Sequence, residues 1–124
     1  MRGREFLDVA HHLGGVRDEA ILRTRIGRAY YAAYLEARAF CEIALDYRRT
    51  RSSREHQEVT RLIAVVAPTV SSDLYFLRGF RNAADYDLDL SYETIRRNDR
   101  DAVDLATAII ARLDELTAMA TPHA

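Results

Sequence analysis

Lysine and tryptophan are missing from this 124-residue chain; glycine occurs five times, proline twice and cysteine once. With Cys41 alone, an intrachain disulfide is impossible and a thiolate metal cluster within one chain is excluded. No apolar run approaches the roughly 20 residues that a membrane-spanning helix requires. The stretch MRGREFLDVAHHLGG lacks the long apolar core of an export signal, so the expected location is the cytoplasm, with no membrane. A net charge of −1 argues against a generally basic nucleic-acid coat. What remains is 48% hydrophobic and 30% charged, the make-up of an ordinary globular chain rather than a disordered one. Its length suits one domain around one core.

All 18 basic residues are arginine. A nucleotide-composition bias of the source genome is the plain explanation. The guanidinium is nevertheless the side chain best fitted to bidentate phosphate contact, so any basic cluster here is chemically equipped for it.

Few breakers and no sustained polar–apolar alternation predict an all-α protein, a single bundle of four to five helices. The first helix is expected over residues 3–13, ended by Gly14 and Gly15. The second runs over 18–45. Along it Leu22, Ile26, Ala29, Ala33, Ala37, Phe40 and Ala44 recur at three- and four-residue spacing, and Tyr30, Tyr34 and Cys41 widen the stripe. Its alanines admit close neighbours, which makes it the expected centre of the bundle. Ser52-Ser53-Arg54-Glu55 matches a capping box and opens a third helix over 53–66, stopped by Pro68. The fourth is expected over 70–89 and the fifth over 98–119, seamed by Leu105, Ile109, Leu113 and Leu116. The terminal TPHA reads as a frayed tail.

On the fourth helix the spacing gathers Phe76, Leu77, Phe80, Ala83, Ala84 and Leu88 on one side. Arg78, Arg81, Asn82, Asp85 and Asp89 gather on the other, with Tyr86 at the border. By itself that polar side reads as a solvated face with ion pairs such as Arg81–Asp85. His11 and His12 are adjacent, point about 100° apart on a helix and lack a third ligand, so metal binding is rejected. No cofactor motif is present. The densest basic cluster, Arg48, Arg49, Arg51 and Arg54, is either an exposed turn or a phosphate-contacting loop. Tyr30, Tyr31 and Tyr34 belong to the core more readily than to a base-stacking platform.

Three stretches together resemble the HEPN-domain superfamily of helical nucleotide-binding and RNA-cutting proteins. RIGRAYYAAYLEARAF (residues 25–40) is similar to the arginine-x-tyrosine-tyrosine-alanine helix of that family. SREHQEV (53–59) resembles the start of the histidine-bearing third helix of one small prokaryotic branch, and LRGFRNAADYD (77–87) that branch's arginine-x-x-alanine-aspartate-tyrosine signature. The resemblance implies a dimer with a site across the two-fold axis. It also implies a setting in toxin–antitoxin pairs, beside a nucleotidyltransferase-type antitoxin, or in other defence complexes. Active members pair an arginine with a histidine a few residues later and cut RNA without a metal. Others serve as non-catalytic modules that bind a partner protein or a nucleotide.

Carried over, Arg81 is the phosphate-stabilising arginine and Tyr86 stands where the histidine would be. A tyrosine can donate a proton but is a poor base, which leaves Asp85 and His56 as candidates for the proton work. His56 supplies the imidazole only if the third helix approaches Arg81. Arg78, Asn82, Arg48, Arg49 and Arg51 are the expected RNA contacts.

Overall fold

The computed structural model describes residues 1–15 and 18–120. In chain order it contains α1 (Glu5–His12), α2 (Glu19–Ala44), α3 (Glu55–Val66), α4 (Pro68–Tyr86) and α5 (Tyr92–Ala120), with no strand among the described residues. The all-helical expectation holds, and α2 is the centre: α1, α3, α4 and α5 all pack on it.

The physical reason lies in its small residues. Ala29, Ala32, Ala33 and Ala37 are completely buried, so neighbouring backbones come close, while Ile26, Tyr30, Tyr34 and Phe40 fill the space between. Asp18 caps the helix by accepting the N–H groups of Ala20 (2.9 Å) and Ile21 (3.4 Å). Ala44, placed on the stripe by spacing, is exposed in the last turn. The N-terminal segment crosses α2 at Gly3, where a Cβ would lie 2.8 Å from the Leu35 side chain. Arg4 pins the crossing through Glu36 (2.8 Å) and Asp114 (2.7 Å). After α1, Gly15 takes φ +87, the left-handed geometry that glycine supplies at a helix end.

Several boundaries differ from the sequence expectation. Helix α3 starts at Glu55 rather than residue 53. Its capping box is displaced: Ser52 Oγ accepts from the Arg54 N–H (3.2 Å) and Glu55 from that of Arg51 (2.9 Å). Helix α4 begins two residues early, because Pro68 itself occupies the first turn, where a missing N–H costs nothing. It also stops at Tyr86, three residues short of expectation. There Arg23 closes it, donating from Nη1 to the carbonyls of Ala84 (2.8 Å), Asp87 (3.0 Å) and Ala83 (3.4 Å), a cation placed on the negative end of the helix.

Helix α5 begins at Tyr92, six residues before the expected start. Ser91 caps it through the Thr94 N–H (3.2 Å), and Ile95 on its first turns is fully buried. Asp99, close to the expected start, instead lies inside the helix and pairs with Arg25 at 2.9 Å. The tail TPHA falls outside the described residues. No described helix is long and apolar enough to cross a membrane.

Candidate functional site

Helix α4 does not present the face that its spacing suggested. The side packed against the bundle carries Val70, Leu74, Leu77 and Ala84, and Arg81 falls on the same stripe, partly buried. Phe76 and Leu88, expected inside, are 59% and 76% exposed. The correction has a simple cause. An arginine's aliphatic stem packs as an apolar side chain does, and its head finds polar partners between the helices. Tyr31 supplies them here: its hydroxyl accepts from Arg81 Nη2 (3.3 Å), and its ring lies under the guanidinium.

That inward turn places two arginines beside α3. Between α3 and α4, over a floor of Tyr30 and Tyr34 from α2, lies a cleft of about 320 Å³. Gln57, Thr60, Arg61 and Ala64 line one wall at helical spacing. Ser71, Leu74, Tyr75 and Arg78 line the other, again at three- and four-residue intervals. Ser71 Oγ donates to the Thr60 carbonyl (3.0 Å) and ties the walls together.

His56 packs against that floor without itself lining the cleft. Its ring stacks on Tyr34 with centroids 4.0 Å apart and on Tyr30 at 5.7 Å, and its Nδ1 is hydrogen-bonded to the Tyr30 hydroxyl. Nε2 has no partner among the described residues. Burial holds the imidazole below its ordinary pKa, and the charges of Arg78 and Arg81 depress it further against a smaller pull from Glu55. His56 is therefore neutral at pH 7. Burial pushes the Tyr30 phenol well above the usual tyrosine range, against the lowering field of Arg78, so it stays protonated.

The two arginines differ in how free they are. Arg81 is committed: besides Tyr31 it faces Asp85 at 3.0 Å and donates to Asn82 Oδ1 at 3.2 Å. Arg78 has neither an ion pair nor a hydrogen bond among the described residues, and its Nε is buried without a partner. A buried guanidinium nitrogen without an acceptor is costly, and an incoming anion relieves that cost.

The loop arginines divide as well. Glu55, 5% exposed, is the anchor of the 46–54 loop. It accepts from the Arg51 N–H (2.9 Å), Arg38 Nη1 (3.1 Å), Arg49 Nε (3.3 Å) and the Tyr34 hydroxyl (3.3 Å). Burial raises its pKa, but the Arg51 N–H and then Arg38 and Arg49 outweigh this and hold it below the ordinary carboxylate value. Arg49 thus has its Nε tied to Glu55, although the residue stays exposed. The Arg48 and Arg51 side chains are exposed, and Arg51 adopts φ 55 to let its N–H reach Glu55.

Glu55→Ala should lower stability by about 2 kcal/mol, the cost of stranding partly buried arginines, discounted because Arg38 and Arg49 keep some water. Thermal melting should fall by roughly 8 °C. Because the folded carboxylate is the stronger acid, this stabilisation is complete above the ordinary value of 4.5 and is lost as pH falls below it. Equal melting of wild type and variant at pH 7 would contradict it.

Among the expected catalytic residues, Arg81 pairs with Asp85 and reaches the Tyr31 hydroxyl, while His56 bonds the neighbouring Tyr30. The structure does not unite them with Tyr86. That side chain is 74% exposed on the outer side of α4, about 140° around the helix from Arg81. Asn82 is exposed on that outer side too, yet in contact with Arg81. Gln57, Thr60 and Arg61 were not among the expected site residues, although their mutual spacing puts them on one face of α3. Cys41 is fully buried, and burial pushes its thiol up to about 11, so it offers no nucleophile. Among the described residues no three histidine, cysteine or acidic side chains come together as metal ligands would. No family model, curated protein or solved structure matches this chain.

Proposed function

We propose that the chain is a HEPN-type, metal-independent endoribonuclease, a cytoplasmic toxin or defence protein whose chemistry sits in the Arg78 cleft beside His56. One observation carries the reading. An unpaired, partly buried arginine opens onto a cleft whose floor tyrosine, Tyr30, is hydrogen-bonded to an imidazole that its surroundings keep neutral. Phosphate answers the first, and proton transfer from a 2′-hydroxyl answers the second.

The chemistry balances with the residues present. A phosphate oxygen at Arg78 takes the Tyr30 O–H as donor, and His56 Nδ1–H then donates to the phenol oxygen, which leaves Nε2 as the base. Nε2 accepts the 2′-hydroxyl proton, the 2′-oxygen attacks phosphorus and the P–O5′ bond breaks. The 5′-oxygen takes a proton from water, His56 returns its own, and the products are a 2′,3′-cyclic phosphate and a 5′-hydroxyl strand. Arg78, with Arg81 behind it, offsets the charge on the pentacovalent phosphorus.

A second reading has its own support. The Tyr30 phenol has no other acceptor among the described residues, so its O–H donates to Nδ1 and the ring proton sits on Nε2, which is then a donor. A site that offers no base binds a nucleotide without cutting it, as in the non-catalytic modules of the same superfamily. End-group analysis separates the two. Incubating single-stranded RNA with the protein and a chelator should yield cyclic phosphate ends, and bound but intact RNA would leave the binding module.

A homodimer belongs to the same proposal. The outer side of α4 exposes Phe76 (59%) and Tyr86 (74%), and a second copy of the chain is the occupant we assign. A nucleotidyltransferase-type antitoxin modifying Tyr86 would put charge into that contact, not against Arg81. Sedimentation should give twice the chain mass for wild type and the single mass for Phe76→Glu. A wild-type monomer at high micromolar concentration would contradict the dimer.

A further inference from the structure

Resting on the cleavage reading, we infer that the cleft is a base-reading subsite: it takes one unstacked nucleobase of single-stranded RNA beside the scissile phosphate, and Gln57 and Tyr75 determine which RNA is cut. The size comes first. At about 320 Å³ the cleft stands at the small end of ligand pockets, with room for one base and its sugar but not for a stacked pair. A duplex cannot present such a base, so the substrate is unpaired.

The hydrogen-bonding inventory of the walls narrows the reading groups. Thr60 Oγ1 spends its proton on the His56 carbonyl (2.7 Å) and Ser71 Oγ spends its own on the Thr60 carbonyl (3.0 Å), so both can only accept. Gln57 is exposed on the cleft wall and has no partner among the described residues. Its amide offers donors and an acceptor together, the combination that reads a base edge bidentately. Tyr75 brings an aromatic ring to the opposite wall, and Leu74 and Ala64 are apolar around it. Stacking on Tyr75 accepts any base, and the amide distinguishes among them.

Gln57 lies one turn before Arg61 on one wall and Tyr75 one turn before Arg78 on the other, so base and phosphate contacts alternate along both walls. A nucleotide entering with its phosphate at Arg78 therefore carries its base to Gln57 and Tyr75. Arg61, also unpartnered among the described residues, lines the same wall and can meet the next phosphate along the strand.

Calorimetric titration with AMP, CMP, GMP and UMP, with inorganic phosphate as the control, tests this without requiring turnover. We expect affinities that differ at least tenfold between the best and the worst base. Gln57→Ala should narrow that spread to about threefold, and Tyr75→Ala should weaken all four by about tenfold. Both positions are exposed, and unchanged melting confirms that the variants fold. Phosphate binding as tightly as any nucleotide, or either variant matching wild type, overturns the subsite. Selective nucleotide binding with uncut RNA upholds it and rejects the cleavage reading. Cleavage at every position alike, with no base selectivity in the titration, rejects the subsite and leaves cleavage standing.

Discussion

His56→Gln should reduce the rate of RNA cleavage by roughly a thousandfold while leaving the fold intact. Glutamine keeps much of the ring's volume and can hydrogen-bond the Tyr30 hydroxyl, but it cannot accept a proton in the transition state. General base catalysis contributes about 10²- to 10⁴-fold in enzymes. The pH profile makes the test specific. In wild type the acid limb should lie below the ordinary histidine value of 6.5, because burial and the charges of Arg78 and Arg81 disfavour the imidazolium. Arg81→Ala removes one of those charges and should move the limb upward. The same depressed pKa acts on stability: this group's contribution is complete above pH 6.5 and is lost as pH falls through the folded-state value. A variant cleaving within threefold of wild type would remove His56 from the chemistry.

Arg78→Ala should cost about a hundredfold in cleavage, the loss seen when one preorganised donor to a transition-state oxyanion is removed. Arg78→Lys should recover only part of it, since an ammonium does not reproduce the guanidinium fork. Arg81→Ala should cost less, because Arg81 already divides its donors among Asp85, Tyr31 and Asn82. The order of the two losses is the informative result. With the Arg81–Tyr86 motif as the centre, Arg81→Ala would be the worse variant and Tyr86→Phe would be damaging. With the cleft as the centre, Tyr86→Phe should cleave within threefold of wild type in the dimeric protein.

That contrast also marks where the sequence stops being legible. The stripe of α2 could be read directly because alanines and large apolar residues alternate along one face, and burial follows the periodicity nearly residue by residue. The start of α5 could not. Asp99 interrupts the apolar stripe, and only its ion pair with Arg25, far away in the chain, makes a buried carboxylate acceptable there. The α4 face failed for the same reason. Periodicity assigns arginine to solvent, but a ring and a hydroxyl on α2 receive Arg81 and turn the helix by part of a revolution. At the site, His56 was visible as the one histidine in the middle of the chain. The freedom of Arg78 was not, because lacking a partner is a property of packing rather than of spacing.

Loop arginines show the converse. Four within seven residues look like a phosphate trap, yet the buried Glu55 engages Arg49 and the Arg51 backbone N–H to hold the loop in place. Charge density in the sequence overstates what remains for a ligand.

The most direct measurement is the initial rate at which the purified protein cuts a fluorescent single-stranded RNA in excess chelator, compared between wild type and Arg78→Ala with equal melting temperatures. The expected result is cleavage by wild type to 2′,3′-cyclic phosphate ends, unaffected by the chelator, and a rate about a hundredfold lower for the variant. Equal rates for the two proteins, or RNA left whole by wild type, would contradict an RNA-cleaving centre at His56 and Arg78.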